Sequence, residues 1–160
     1  MSSLQDYPIA VVDDDYAAES AAGRVVRALV GAFEARGHAV LAGLTVDDAR
    51  AGRVLYTGLS AVLVSIDGFA DRDALIEALD RIVALALARA PDLPLFLYGE
   101  RRMPDDPPVA LMERIDGYLY LHEDSPAFMA GYVSSAIHRY LDAMLPPFFK
   151  ALVRYTDAAK

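Results

Sequence analysis

AVLVSID, residues 61–67, is an apolar run rich in β-branched residues that ends in a carboxylate. A continuous run of this kind is typical of a strand covered on both faces, as strands are in a parallel sheet between two layers of helices. Asp67 and Gly68 follow the run, so the strand ends in a polar turn. The stretch therefore predicts a central strand that carries Asp67 at its carboxyl end.

Shorter apolar runs of the same character alternate with amphipathic segments along the chain. The runs predict strands at residues 7–12, 38–44, 94–99 and 117–121. Apolar residues spaced by three and four predict helices at 16–36, from Thr45 to about Gly58 and at 71–90, with a short helical turn at 108–115. Strands that alternate with helices imply right-handed crossovers and a parallel sheet. The predicted fold is therefore an α/β, flavodoxin-like three-layer sandwich, with a parallel sheet in the order 2-1-3-4-5.

Local signals mark several ends of these helices. Gly37 follows the helix predicted at 16–36 and suits the left-handed position that often ends a helix. Thr45 and Asp48 form a Thr-x-x-Asp box of the kind that opens a helix. Pro91 ends the helical pattern at 71–90 because proline cannot continue a helix.

The overall composition narrows the class of protein. The chain has 160 residues, of which 55% are hydrophobic, and its mean hydropathy of +0.25 suits one domain with a full core. No apolar run approaches the roughly 18 residues that cross a bilayer. The first residues, MSSLQDYPI, lack the pattern of a signal peptide. We therefore expect a cytoplasmic protein with no membrane partner.

Charge and cysteine content argue against several kinds of site. The chain has no cysteine, which removes disulfides, thiolate nucleophiles and cysteine metal ligands. Its net charge of −8 at pH 7, with scattered basic residues, would repel a phosphate backbone, so we expect no nucleic-acid partner. The same acidic surface opposes self-association near neutral pH, and protonation would relax that opposition.

The C-terminal part begins with a strong helix signal. Ser125 is a good N-cap and Pro126 suits the first helical position. From Phe128 to Met144, apolar residues then recur at spacings of three and four. This pattern predicts a long helix that packs as the last helix of the sandwich.

A short apolar tail follows this helix. Pro146 and Pro147 break the helical pattern, and a second short helix is predicted from Pro147 onward. An exposed apolar set in this tail would be an interaction patch. The candidate oligomer and linker interface consists of Leu145, Pro146, Pro147, Phe148, Phe149, Leu152 and Tyr155. We divide the chain into a domain at 1–144 and the start of a linker region at 145–160.

Acidic residues follow two strands that the predicted order makes neighbours. Asp13, Asp14 and Asp15 follow the first strand, and Asp67 follows the third. The carboxyl ends of these strands flank the point where ligands usually bind in such sheets. Carboxylates gathered there can hold Mg²⁺, and a further aspartate could accept a phosphoryl group. Asp13, Asp14 and Asp67 are therefore the candidates for an acidic pocket.

This arrangement resembles response-regulator receiver domains over the first 121 residues. Receivers also carry a Ser or Thr at the end of strand four and a Lys late in strand five. Here these positions read LYG, residues 97–99, and YLH, residues 120–122. The resemblance thus implies a degenerate pocket without working phosphotransfer. A simpler interpretation is that Asp14 and Asp15 complement the dipole at a helix N-terminus.

Other candidate sites are weaker. His38, His122 and His138 share no metal-ligand spacing, so capping or surface roles are favoured. Arg101 and Arg102 could bind an anion, although a solvated loop is the favoured interpretation.

The last part of the chain carries a more specific resemblance. PLFLYGERR, residues 94–102, is followed by DGYLYLHEDSPAFMAGYVSSAIHRYLDAMLPPFFKALVRYTD, residues 116–157. These segments closely resemble the N-terminal region of the bacterial Orn/Lys/Arg decarboxylases, which are pyridoxal-phosphate (PLP) enzymes of fold type I. Within them, GERR and LPPFFKAL look closest to the arginine decarboxylase branch.

The resemblance implies a receiver-like "wing" domain followed by a linker into a PLP-binding domain. In this family the wing contributes to assembly, including pH-dependent association of dimers into decamers. The expected partners are further copies of the protein and the PLP domain of the parent enzyme. The catalytic lysine and the cofactor contacts lie downstream of this sequence in the family, so we expect this chain alone to bind no PLP and to decarboxylate nothing.

Two alternatives remain open at this point. One is a degenerate receiver that acts in signalling. The other is a regulatory module that binds a small anion, either in the cleft at the sheet's carboxyl end or at Arg101 and Arg102.

Overall fold

The computed structural model describes residues 3–67, 69, 71–100 and 109–144. The strands are β1 (Ile9–Val12), β2 (Val40–Leu44), β3 (Ala61–Ser65), β4 (Leu95–Gly99) and β5 (Gly117–Tyr120). The α-helices are α1 (Ser3–Asp6), α2 (Ala21–Ala35), α3 (Val46–Arg50), α4 (Arg72–Arg89), α5 (Val109–Met112) and α6 (Pro126–Met144), and a 3₁₀ turn spans Tyr56–Gly58.

The strands form one parallel sheet in the order β2-β1-β3-β4-β5, which confirms the predicted topology. All residues of β1, β3 and β4 are buried, as expected for strands covered on both faces. Val62 and Val64 of β3 pack with α3, α4 and α5, whereas Leu63 packs with α2 and α6. Because successive side chains of a strand point to opposite faces, the sheet separates two hydrophobic cores.

The edge strand β2 alternates between half-buried and exposed residues, since it covers less of the core. Among the described residues, no helix is both long and apolar enough to span a membrane.

The first long helix begins later than the sequence pattern predicts. A helix was expected from residue 16, but α2 starts at Ala21. Ser20 has an extended backbone, and its side chain accepts a hydrogen bond from the N–H of Gly23 at 3.0 Å. The Arg27 guanidinium donates to the carbonyls of Tyr16 and Ala18, at 2.7 and 3.1 Å, and so holds the preceding turn. The N-cap, which apolar spacing does not reveal, therefore sets the start.

The helix after Thr45 is also shorter than predicted. Thr45 caps it as expected, accepting from the N–H of Asp48 at 3.1 Å. The helix ends at Arg50 and does not continue to Gly58, because Gly52 takes a left-handed conformation with φ of 74°. The predicted left-handed glycine at Gly37 is confirmed, with φ of 91°.

The last helix matches its predicted start but buries only part of its apolar stripe. The Ser125 hydroxyl accepts from the N–H of Phe128 at 3.2 Å, as an N-cap does. Phe128 is 63% exposed and Tyr132 is 48% exposed, although both belong to the apolar stripe that was expected to pack as core. The buried residues of the stripe are Met129, Val133, Ala136, Ile137 and Leu141. The apolar face of α6 is therefore wider than the part of the sheet that this helix covers.

The candidate interface at Leu145, Pro146, Pro147, Phe148, Phe149, Leu152 and Tyr155 lies outside the described residues, as do Arg101 and Arg102.

Candidate functional site

A cleft of about 400 Å³ lies at the carboxyl end of the sheet. Asp13 follows β1 and Asp67 follows β3, and both line this cleft. The remaining polar walls are formed by Asp15, Ser20, Ser65, Tyr98 and Glu100. The parallel topology therefore brings together Asp13 and Asp67, as the sequence predicts.

Asp14 has a different position. Its carboxylate Oδ1 accepts a hydrogen bond from the N–H of Val46 at 2.8 Å, at the first turn of α3. It is absent from the cleft walls, where its neighbour Asp15 lies instead. Asp14 therefore complements a helix dipole, as the simpler interpretation expected, but at α3 and not at the helix that follows it in sequence.

Tyr98 engages the Asp13 carboxylate. The hydroxyl of Tyr98 donates to Asp13 Oδ2 at 2.6 Å, and the tyrosine is only 1% exposed. Burial, followed by the negative charge of Asp13, raises the pKa of Tyr98 far above its ordinary value, so the phenol remains a donor at physiological pH. Asp13 Oδ1 also accepts from the N–H of Asp15 at 2.9 Å. Both oxygens of Asp13 are thus already hydrogen-bonded within the domain.

Asp67 is also held by its neighbours. Its Oδ2 accepts from the N–H of Glu100 at 2.9 Å, and its own N–H donates to the Ser65 hydroxyl at 3.2 Å. These contacts fix the end of β3 against the end of β4. They make Asp67 a half-buried structural acceptor just after β3.

Gly99 occupies the position at which receivers carry a hydroxyl residue. A Cβ at Gly99 would lie 2.7 Å from Ile66 Cγ1 and 3.2 Å from Asp67 Oδ1. Such contacts are too close, so the strand end has no room for a serine or threonine side chain. Sequence reasoning noted the missing hydroxyl but did not identify Tyr98 as the group that engages the acid. The hydroxyl of Tyr98, in a strand whose other side chains are apolar, was the available signal.

The end of β5 carries His122 where receivers carry a lysine. Its Nε2 lies 3.7 Å from Glu100 Oε1, and its ring packs edge-on against Tyr120. His38 and His138 lie elsewhere, with ring centroids 6.4 Å apart. No group of three or more histidine, aspartate or glutamate side chains among the described residues is arranged to hold a metal ion. The cleft therefore offers no structural support for the Mg²⁺ site considered from the sequence.

Comparison with known proteins identifies the family. The model of the Orn/Lys/Arg decarboxylase N-terminal domain matches residues 21–140. The chain belongs to this family. Lysine decarboxylase LdcA of Pseudomonas aeruginosa is 33% identical over 153 residues, covering 94% of this chain and 20% of the relative. The biodegradative arginine decarboxylase of Escherichia coli is 36% identical over 74 residues, covering 43% of this chain and 9% of the relative. This decarboxylase N-terminal domain therefore spans a fifth or less of the length of these relatives.

Solved structures agree with the family and the fold. The structure of lysine decarboxylase A from Pseudomonas aeruginosa matches with a TM-score of 0.82 and 32% identity, covering 96% of this chain and 21% of that one. A receiver domain from Methanospirillum hungatei matches with a TM-score of 0.60 and 15% identity, covering 86% of this chain and 98% of that one. The receiver likeness concerns the fold alone. It shows that this decarboxylase N-terminal domain has a receiver-type scaffold.

The described residues of this decarboxylase N-terminal domain do not fit PLP. PLP is held through a Schiff base to a lysine. The lysines of the chain are Lys150 and Lys160, and both lie outside the described residues. No step of PLP chemistry can therefore be assigned to the described part of the domain.

Proposed function

We propose that this chain is the non-catalytic assembly and regulatory domain at the N-terminus of a PLP-dependent basic amino-acid decarboxylase. The observation that carries the proposal is the family match over residues 21–140, together with a lysine decarboxylase relative of which this chain covers only 20%. In this proposal residues 1–144 form the domain and residues 145–160 begin the linker to the PLP-binding domain. The parent enzyme would be cytoplasmic and would contain the cofactor.

The state of the acidic cleft supports a role without catalysis. Asp13 is bound by Tyr98, and Asp67 accepts from the backbone of Glu100, so both carboxylates already make contacts that hold the domain together. General acid–base chemistry needs a group that can exchange its proton with a reacting atom. These carboxylates instead tie together the carboxyl ends of β1, β3 and β4.

Assembly is proposed to proceed through self-association and through contact with the PLP-binding domain, giving a homo-oligomer. The apolar tail from Leu145 to Tyr155 is the proposed interface, and the exposed Phe128 and Tyr132 on α6 add apolar surface before it. Large apolar side chains that are exposed and lie close together are typical of interaction sites.

The substrate is proposed as a basic amino acid: arginine, lysine or ornithine. GERR and LPPFFKAL favour the arginine branch, whereas the relative matched over 153 residues is a lysine decarboxylase. Decarboxylation of the three amino acids by the full-length enzyme, measured side by side, would decide between them.

The proposal is tested on the gene that encodes this chain, read beyond the codon for Lys160. We expect it to encode a PLP-binding domain, and we expect removal of residues 1–144 to reduce the size of the assembly while the remainder still binds PLP. Sedimentation reports the assembly, and the absorbance of the internal aldimine reports the cofactor. A frame without a PLP-binding domain, or a deletion that leaves the assembly unchanged, would refute the proposal.

A receiver that acts in signalling, either phosphorylatable or degenerate, is the second candidate function. The receiver-type scaffold and the shared cleft of Asp13 and Asp67 favour it. Beryllofluoride mimics an aspartyl phosphate, so its addition with Mg²⁺ would shift the amide resonances around Asp67 if the cleft still worked as a receiver site. We expect no such shift, because Gly99 leaves no space for the receiver's hydroxyl residue.

A further inference from the structure

Three arginines line an open cleft of about 390 Å³ between α3 and α4. Arg50 lies at the end of α3, Arg53 follows the turn at Gly52, and Arg81 lies in the middle of α4. The other lining residues are Asp47, Ala51 and Glu77. This cleft is distinct from the acidic cleft, with which it shares no lining residue.

Arg50 has hydrogen-bonding capacity that the domain does not use. Its Nη2 donates to both carboxylate oxygens of Glu77, at 2.8 and 2.7 Å. Its Nε is buried and has no hydrogen-bond partner among the described residues. This Nε is shielded from solvent, but the Arg50 side chain as a whole is 40% exposed, so other atoms of the group face the cleft.

The other two arginines are likewise only partly engaged. Arg53 uses its Nε on Asp48 Oδ1 at 3.0 Å. Arg81 donates through Nε to the carbonyl of Arg50 at 3.4 Å, which is a long hydrogen bond. Neither guanidinium makes a hydrogen bond through its terminal nitrogens to any residue in the described part of the chain. The cleft thus gathers several donors without acceptors.

The charge of this cleft contrasts with that of the whole chain. Three arginines and two carboxylates line it, a formal sum of +1, in a chain whose net charge is −8. A fourth guanidinium, that of Arg89, has Nη2 3.9 Å from where a Cβ on Gly52 would lie. Asp48, which pairs with Arg53, brings the local sum to zero, so any attraction for an anion comes from the individual guanidinium donors and not from net charge.

The residues that line the cleft also indicate which kind of anion it would bind. The planar fork of arginine matches the oxygens of phosphate and carboxylate groups. Among the described residues, the cleft walls contain no aromatic residue and only one small apolar residue, Ala51, so these walls offer nothing to a nucleobase or a hydrocarbon chain. We propose that this cleft binds a compact phosphate-bearing anion, with Arg50 and Arg81 as its main donors. The anion competes with Glu77 for the exposed part of the Arg50 guanidinium.

The test uses the 160-residue chain labelled with ¹⁵N and titrated with pyrophosphate at constant ionic strength. We expect saturable shifts of the Nε–Hε resonances of Arg50 and Arg81. Inorganic phosphate and a small phosphate monoester, titrated in parallel, distinguish a free phosphate from a phosphorylated metabolite. Whichever binds tightest identifies the source of the phosphate group.

Variants distinguish a specific binding site from a general attraction of anions to arginine side chains. Arg81→Gln should raise the dissociation constant about tenfold or more, because a charge-assisted hydrogen bond is lost. Arg81→Lys keeps the charge but not the fork, and should also weaken binding. The matched control Arg139→Gln, on the exposed face of α6, should leave binding unchanged.

Three results would contradict the proposed site. Shifts that do not saturate, that appear equally at Arg139, or that Arg81→Gln leaves unaltered would overturn the proposed site. Circular dichroism of each variant confirms that the fold is intact, so that a loss of binding is not a loss of structure.

Discussion

His38 is buried where the chain leaves α2 and packs against α6. Its Nε2 shares a hydrogen bond with the Ser134 hydroxyl at 2.9 Å, and its Nδ1 has no partner among the described residues. Burial lowers the pKa of His38 to about 4, and the nearby charges of His138 and Arg36 act in the same direction. The domain therefore holds this ring in its neutral form.

This histidine should make the domain less stable in acid. The unfolded chain protonates the ring near pH 6.5 and the folded chain only near pH 4, so the stabilisation is complete above 6.5 and is lost as pH falls towards 4. Between pH 6.5 and pH 4, we expect the free energy of unfolding to fall by about 1–2 kcal/mol less in His38→Gln than in the unsubstituted chain. This figure includes a reduction for solvent screening. Urea unfolding at both ends of the window measures it.

His122→Gln is the matched control, because this ring is exposed beside Glu100. It should keep the pH dependence of the unsubstituted chain. If His38→Gln also keeps it, the neutral buried ring is not the source of acid sensitivity.

Substitution by alanine should have opposite effects on stability at two glycines of α2, Gly23 and Gly31. A Cβ at Gly31 would meet no heavy atom within 4 Å, whereas a Cβ at Gly23 would lie 2.3 Å from the carbonyl oxygen of Ala18. The backbone turn held by Arg27 and Ser20 passes directly over Gly23. Helix propensity alone would favour alanine at both positions.

We expect Gly31→Ala to raise the free energy of unfolding by about 0.5–1 kcal/mol, as alanine does in an open helix position. Gly23→Ala should lower it by about 1–3 kcal/mol, because backbone must move to admit the methyl group. Chemical denaturation of the two variants provides the comparison. Stabilisation by both substitutions would show that the close approach at Ala18 is not maintained in solution.

At the scale of the whole molecule, net charge should control association. The chain carries −8 at pH 7 and has a pI near 4.7, so acidification towards about pH 5 removes most of its self-repulsion. We expect a larger discrete species in sedimentation velocity at about pH 5 than at about pH 8, and a partial shift at pH 8 when salt is raised.

Substitution of the apolar tail tests whether association uses the proposed interface. Phe149→Asp should suppress the larger species. Leu55→Asp, at an apolar residue that is 69% exposed outside the proposed interface, should not. The same species at both pH values would remove the support for charge-controlled assembly through this chain.

The approximate positions of the strands and of the long helices followed from the sequence because their causes are local or periodic. Continuous apolar runs identified β3 and β4, and the caps at Thr45 and Ser125 act within three residues. The apolar spacing placed the start of α2 too early, because spacing does not show that Ser20 takes an extended conformation. It also extended α3 past Gly52, whose left-handed backbone ends that helix.

The sequence by itself thus determined the parallel five-stranded sheet and the presence of Asp13 and Asp67 at one end of it. Only the tertiary structure decided that Tyr98 binds Asp13 and that Asp14 turns away to α3. It alone brought Arg50 and Arg81 into one cleft. These contacts join residues 31 to 85 positions apart, and their geometry depends on how helices and strands pack, which periodicity and capping signals do not encode.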